Sequence, residues 1–348
     1  MIKKIVVSLS LIFTVASAYV AFEAYSFLQN PPSEDDSSVY FEVKPGPFYK
    51  ITSALKKEGL ITNSKYFTAL AKYESAIKKV KTGEYELRRN MRPSEVLNIL
   101  VSGIMVQHSF TIQEGLNIYE IADLLASKNL IDENEFLRLA KSPSFIQSLL
   151  GQSLPSLEGY LFPDTYRITK YQGERNILKI MVERFQEVFA SLERAPTNLS
   201  RHEIVTLASI IEKETGAPQE RPLISSVFQN RLRKKMRIQS DPTILYGIKE
   251  KYGYWKKNIQ KKDILEKTAY NTYKIPALPK GPISNPGRES LQSVFKPENS
   301  EYLYFVSKND GTHYFSKNYK EHQRAVRNFQ LNYKARQGKS WRDLNKKK

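Results

Sequence analysis

Glu212 and Glu214 stand two residues apart in the stretch Leu207-Ala208-Ser209-Ile210-Ile211-Glu212-Lys213-Glu214-Thr215. The stretch reads as the end of a helix that a capping box opens, with Ser200 at the N-cap and Glu203 three residues on. At about 100° per residue, His202, Thr206, Ser209 and Lys213 share one narrow polar strip. Ile204, Val205, Leu207, Ala208, Ile210 and Ile211 fill the rest of the circumference. Glu212 then projects into the apolar arc between Ala208 and Val205, and Glu214 at its opposite edge near Leu207 and Ile210. Burying a carboxylate is costly unless it is paired or neutralised. Two readings stay open. Each carboxylate pairs with an arginine, Arg221 and Arg231 being the candidates, or desolvation raises a carboxyl pKa and makes a general acid.

The elements around this helix carry further polar groups. Pro218 can open a second helix, with Leu223, Val227, Phe228 and Leu232 on its buried side and Arg221, Asn230 and Arg231 as polar intrusions. Gln239-Ser240-Asp241-Pro242-Thr243 reads as a loop ending in an Asp N-cap with Pro at N1. Ala269-Tyr270-Asn271-Thr272-Tyr273 and Gly281-Pro282-Ile283-Ser284-Asn285-Pro286-Gly287 read as loops rich in amides and phenols. Tyr302–Val306 and Thr312–Ser316 alternate as strands around an Asp310-Gly311 turn. Amide, hydroxyl and aromatic groups on loops suit sugar rings, with their hydroxyl edges and C–H faces. The same residues also serve purely structural roles.

Composition narrows the chemistry. The 348 residues include no cysteine, which excludes disulfides, thiol catalysis and cysteine-based zinc sites. His108, His202, His313 and His322 are scattered without ligand spacing, so no metal or other cofactor is expected. A net charge of +18, spread along the chain to Lys346-Lys347-Lys348, points to an anionic partner: nucleic acid, a lipid surface or an acidic polymer.

Lys3-Lys4 precede an uncharged run from Ile5 to Phe22, long enough to span a membrane. Ala16-Ser17-Ala18 also fits a signal-peptidase site, but the apolar run continues past it, which favours a retained anchor. Either reading sends the remainder out of the cytoplasm, with Lys3-Lys4 inside, and sets nucleic acid aside. Asn30 to Ser38 reads as a polar tether.

From Val39 the chain repeats itself. Phe41-Glu42-Val43-Lys44-Pro45-Gly46 is echoed by Phe110-Thr111-Ile112-Gln113-Glu114-Gly115. Leu55 and Leu60-Ile61 are echoed by Leu125 and Leu130-Ile131, and Phe67 to Lys72 by Phe136 to Lys141. Gly83-Glu84-Tyr85-Glu86-Leu87 corresponds loosely to Gly159-Tyr160-Leu161-Phe162. Each unit reads as strand, glycine turn, helix, short helix and strand. Such units resemble LysM-type glycan-binding modules; a duplicated spacer is the competing reading.

Leu157-Glu158-Gly159-Tyr160-Leu161-Phe162-Pro163-Asp164-Thr165-Tyr166, the Ala208–Thr215 segment, Glu220-Arg221 and Val227 through Leu232 recur together with Gln239–Thr243 and Asn271–Tyr273. In that order they resemble the endolytic murein transglycosylases of the MltG (YceG-like) family, over nearly the whole chain. The resemblance implies that Glu212, the first glutamate of E-K-E-T, is catalytic. As implied, it donates a proton to the oxygen between N-acetylmuramic acid and N-acetylglucosamine, then takes one from the muramyl 6-hydroxyl as a 1,6-anhydro ring closes. Burial would give Glu212 a raised pKa suited to both halves. Glu214, Arg221, Asn230, Gln239, Asp241, Thr243, Asn271 and Tyr273 are the candidates for holding sugar or glutamate.

The fold class expected is α+β: a membrane anchor, LysM-like α+β modules and a C-terminal mixed α+β catalytic domain. The divisions are a cytoplasmic tip (1–4), a transmembrane anchor (5–25), a linker (26–38), a LysM-like module (39–108), a second related unit (109–170), a catalytic domain (171–335) and a basic tail (336–348). The partners implied are peptidoglycan strands, the membrane and peptidoglycan synthases. The expected location is the cell (inner) membrane, single-pass, with catalysis on its periplasmic or extracellular side. A scaffold that only binds wall glycan, and a hydrolase using water with Glu214 or Asp241 as second carboxylate, are the alternatives.

Overall fold

A computed structural model describes residues 2–214 and 217–332; Thr215 of the central motif and the basic tail 336–348 lie outside them. The chain is mixed α+β with an N-terminal apolar helix, and divides into two compact units, Met1–Ser109 with Arg167–Gln172, and Phe110–Tyr166 with Gly173–Lys348.

The first unit starts with α1 (Ile2–Gln29). Its Val7–Gln29 segment is long and apolar enough to cross a membrane, and near its end Phe27 packs into the unit's core. β1 (Ser38–Val43) pairs antiparallel with β2 (Gly83–Arg88), Phe41 opposite Tyr85, around α2 (Phe48–Lys57) and α3 (Ser64–Tyr73). Period-2 alternation buries Phe41 and Val43 on one face of β1. They join Leu55, Leu60, Phe67, Tyr85 and residues of α4 (Pro93–Ser102) in the unit's core. Asn63 caps α3 by accepting from the Lys65 and Tyr66 N–H groups.

The chain passes from one unit to the other along β3 (Gln107–Thr111) and β4 (Thr165–Thr169), which pair. Between these strands lie α5 (Ile118–Ser127), α6 (Glu133–Ala140) and α7 (Pro143–Leu150). The internal repeat is visible in bond detail. Leu60 N–H closes the end of α2 on Leu55 O at 2.9 Å, and Leu130 N–H closes α5 on Leu125 O at 3.1 Å. Phe67 and Ala71 in α3 are buried, as are Phe136 and Ala140 in α6. One correspondence fails: Gly159–Phe162, expected as a strand, forms a turn, and the strand comes later at Thr165. Gly159 has φ +85°, and a Cβ there would lie 2.5 Å from Pro282 and 2.7 Å from Val205, so the turn belongs to the packing around the site.

In the second unit α8 (Glu174–Ala190) leads to α9 (Arg201–Glu214), the helix of the two glutamates. The expected capping box is present: Glu203 N–H donates to Ser200 Oγ at 3.3 Å and Ser200 N–H to Glu203 Oε2 at 2.8 Å. A 3₁₀ turn at Pro218–Glu220 precedes α10 (Arg221–Arg233). α11 (Asp241–Tyr252) follows, its N-cap being Ser240 rather than the expected Asp241. The described chain continues through α12 (Lys261–Leu265) and α13 (Arg288–Phe295) to the hairpin of β5 (Tyr304–Ser307) and β6 (His313–Ser316). The hairpin pairs Val306 with Tyr314, as its alternation requires. α14 (Tyr319–Val326) packs on it.

Candidate active site

Ile204 through Ile211 are all buried, which fixes α9 in the second unit and brings its last turn to the site. Glu212, in that turn, has a side chain only 6% exposed. Arg221 Nη2, at the first turn of α10, donates to Glu212 Oε1 at 3.0 Å, and the Gly287 N–H donates to Oε2 at 3.0 Å. The arginine-paired alternative therefore describes Glu212. The same Arg221 nitrogen reaches Glu114 Oε2 at 3.3 Å, and the Glu114 side chain is 46% exposed. One guanidinium thus bridges a buried carboxylate and an open one. Burial first, and the Glu212 charge second, push the Glu114 carboxyl up, with Arg221 opposing.

Glu214 lies in a different setting. It accepts a 2.5 Å hydrogen bond from Ser240 Oγ, and Arg231 does not pair with it. The Arg231 guanidinium is spent on the carbonyls of Leu303 (2.7 Å) and Ile238 (2.5 Å) and lies 5.3 Å over the Tyr304 ring. Loss of solvent pushes the Glu214 carboxyl up to about 7; the Ser240 hydroxyl opposes this, Asp241 adds to it, and Arg231 opposes it from a distance. The desolvated alternative describes Glu214.

The remaining candidates fall into two groups. Asp241 is exposed and accepts from Tyr273 Oη at 2.7 Å, next in sequence to the serine that caps Glu214. Burial and the Asp241 bond raise the Tyr273 phenol. Gln239 is exposed and held at φ +56°, a conformation that costs a non-glycine residue on the order of 1 kcal/mol. Its N–H donates to Thr272 O at 3.3 Å. These residues gather beside Glu214. Thr243, Asn271 and Asn230 are buried and bonded to the chain itself. Thr243 Oγ1 donates to Ser240 O at 2.5 Å and meets Thr272 Oγ1 at 2.9 Å. Asn271 Nδ2 reaches Asp263 O, Ile264 O and Glu266 O, while Asn230 Nδ2 ties α10 to Ser300 O and Tyr302 O. Their amides hold loops in place.

Four residues that sequence reasoning did not select complete the site: Glu114, Glu158, Asn285 and Gly287. Glu158 is 1% exposed and accepts from Ile118 N–H (3.1 Å), Tyr246 Oη (2.8 Å) and Asn285 Nδ2 (3.1 Å). Burial outweighs those donors and pushes its carboxyl up to about 8. Asn285 is clamped on every side. Its Oδ1 accepts from Leu161 N–H at 2.9 Å, and its backbone bonds Gly115 and Leu116 in both directions. Two residues on, Gly287 delivers its N–H to Glu212. The legible signals were the E-G pair at Glu114-Gly115 and the loop ending Ser284-Asn285-Pro286-Gly287. Among the described residues no group of three or more imidazoles and carboxylates is placed to hold a metal.

The profile of the YceG-like family matches residues 41–328. An endolytic murein transglycosylase from Bacillus subtilis (strain 168) is 31% identical over 319 residues, covering 86% of this chain and 87% of that protein. One from Streptococcus pneumoniae serotype 2 is 29% identical over 312 residues; this chain spans 55% of its length. The crystal structure of a yceG-like protein from Listeria monocytogenes is 31% identical with a TM-score of 0.54, covering 83% of this chain and 99% of that one. On a family match of this extent and these identities, the chain belongs to the YceG-like family.

Proposed function

We propose that this protein is an endolytic peptidoglycan lytic transglycosylase that cuts MurNAc–GlcNAc bonds within nascent glycan strands, leaving 1,6-anhydro-MurNAc ends and stopping strand elongation. The observation that carries the reading is the setting of Glu212, gripped at both oxygens by Arg221 and the Gly287 N–H, with Glu114 across the same guanidinium. The names of its relatives from Bacillus subtilis and Streptococcus pneumoniae support the activity.

In the first step protonated Glu212 gives its proton to the oxygen joining MurNAc C1 to GlcNAc, and the C1–O bond breaks. Loss of the proton leaves Glu212 as the carboxylate that serves as base, and the two donors stabilise its charge. It then takes the proton of the muramyl 6-hydroxyl, whose oxygen bonds C1. The proton ends on the group that supplied it, and no water is consumed. Arg221 supplies a single positive charge to two carboxylates, Glu212 and Glu114, and so balances only one of them. Gln239, Asp241 and Tyr273 contact the sugar beside Glu214 in this reading, while Asn230, Thr243 and Asn271 act through the loops they hold.

A second reading makes Glu214 the acid, because its carboxyl at about 7 is poised for proton transfer near neutral pH. A hydrolase would instead recruit water, with a second carboxylate beside the acid. Digesting purified glycan strands and weighing the new ends separates these classes. Anhydro-muramyl ends mark the transglycosylase, reducing ends the hydrolase, and no new ends a scaffold that only binds.

The α1 helix, unbroken past Ala16-Ser17-Ala18 to Gln29, supports a retained anchor with catalysis on the periplasmic or extracellular side. Residues 39–108 and the related 109–170 are proposed as LysM-like glycan-binding modules, 171–335 as the catalytic domain, and peptidoglycan synthases as partners.

A further inference from the structure

We propose that the aromatic ledge after α11 is a second glycan-binding subsite, apart from the Glu212 centre, in which Trp255, Tyr252 and Tyr254 stack on amino-sugar rings and Lys249 and Lys257 meet the carboxylates those rings carry. It rests on the reading that the substrate is a peptidoglycan strand. Tyr252, Tyr254 and Trp255 are 50%, 55% and 43% exposed, an unusual density of open aromatic surface within four residues. Gly253, at φ +80°, ends α11 and turns the chain so that the ledge follows directly.

The ledge is built rather than loose. Trp255 stands edge-on to Tyr119 (6.1 Å, 85°) and Tyr246 (6.4 Å, 61°). Both supports are fixed: the Tyr119 hydroxyl donates to Glu250, and Tyr246 Oη donates to Glu158. Tyr252 Oη is held by Glu266 at 2.9 Å, with the Tyr254 ring 6.2 Å away. A platform already ordered loses little entropy on binding. Among the described residues the Trp255 indole N–H has no hydrogen-bond partner, leaving a donor for a sugar hydroxyl or N-acetyl oxygen.

Charge completes the match. Lys249 Nζ lies 5.9 Å from the Trp255 ring and 4.7 Å from the Tyr119 ring, and Lys141 Nζ also lies 4.7 Å from Tyr119. Glu250 offsets Lys141 and Asp263 pairs with Lys256, leaving Lys249, which donates to Gly253 O at 2.9 Å, and Lys257 for an anionic ligand. Muramic acid offers both surfaces, a C–H face for the aromatic ring and a lactyl carboxylate or stem peptide for the ammonium. A lipid surface would also attract lysines and interfacial Trp and Tyr. Rings held at fixed angles by Tyr119, Tyr246 and Glu266 nonetheless suit a rigid sugar face better than a fluid headgroup layer. The ledge also lies close to the chemistry through the protein: Trp255 touches Tyr246, Tyr246 bonds Glu158, and Glu158 bonds Asn285, two residues from Gly287.

The test measures binding and product formation separately on full-length protein in detergent. Soluble glycan strands are titrated against wild type, Trp255→Ala, Trp255→Phe and Tyr254→Ala, and digests of the same samples are weighed. Trp255→Ala is expected to weaken binding of long strands about 10-fold while still unfolding in one cooperative transition, Trp255→Phe to restore most of it, and a tetrasaccharide to bind all four proteins alike. Unchanged long-strand binding in both alanine variants overturns the subsite. So does a Trp255→Ala defect confined to anionic phospholipid vesicles, which makes the ledge a membrane contact. Absence of anhydro products from wild type overturns the catalytic reading alone, since the binding result stands without it.

Discussion

The Gly287 N–H donates to Glu212 Oε2 at 3.0 Å, and a Cβ at 287 would lie 1.8 Å from Glu114 Oε1, so any larger residue must push the Glu114 side chain aside. One small residue therefore serves both carboxylates, donating to one and leaving space for the other. Gly287→Ala displaces Glu114 and lengthens or breaks the bond to Glu212. A hydrogen bond to a charged group contributes about 1.5–3 kcal/mol, so kcat is expected to fall roughly 10- to 100-fold. Steady-state assays beside thermal unfolding check this: kcat should drop while the melting temperature moves by a few degrees at most.

Arg221 has a different signature, because removing it strands a buried charge. Its side chain is 10% exposed and that of Glu212 6%. Breaking a buried pair from one side costs about 3–5 kcal/mol. Arg221→Met is expected to lose stability of that order near pH 8 and less near pH 5, where a proton can neutralise the stranded carboxylate. Urea unfolding at the two pH values reads the difference. Equal losses at both would contradict the pairing.

Glu214 and Glu158 give the fold its own pH dependence. Their carboxyls are pushed up to about 7 and about 8 from an ordinary 4.5. Between 4.5 and those values the folded chain holds protons that the unfolded chain has released. Their contribution to stability is therefore full below the ordinary value and is lost as pH rises through 7 and 8. Glu214→Gln should gain on wild type as pH rises from about 5 to about 8.5, measured as the difference in unfolding free energy. A difference that stays constant over that range would remove burial as the cause.

Much of this was legible in the sequence where local physics decides. The Ser200–Glu203 capping box, the β5–β6 alternation and the repeated Leu55/Leu60 and Leu125/Leu130 closures each depend on residues a few positions apart. Elements set by distant partners were not. Ser240 gives its hydroxyl to Glu214, twenty-six residues back, and it takes the N-cap position expected of Asp241. Gly159 turns because Pro282 and Val205 press on it, which no window around Gly159 reveals. The site divides the same way. The periodicity of α9 singled out Glu212 and Glu214. Glu114 reaches the cluster across 107 residues of chain to Arg221, and Asn285 across 127 to Glu158, so spacing says nothing of either. Asn230 and Asn271 attract notice as polar groups in apolar surroundings. That is also how amides look when they hold carbonyls in place.

The most direct measurement compares Glu212→Gln with Glu214→Gln in digests of purified glycan strands, counting 1,6-anhydro-muramyl ends by mass spectrometry. The amide keeps the size of Glu212 and its one oxygen can still accept from Arg221 or from the Gly287 N–H, though not from both at separate oxygens, and it can neither deliver nor remove a proton. General acid–base help contributes about 10²–10⁴-fold each time it is used, and this reaction uses Glu212 twice. Glu212→Gln is expected to yield no detectable anhydro ends while unfolding cooperatively, and Glu214→Gln to retain the larger share of activity. Anhydro ends released by Glu212→Gln at near the wild-type rate, with Glu214→Gln inactive, would contradict the assignment and move the acid to Glu214.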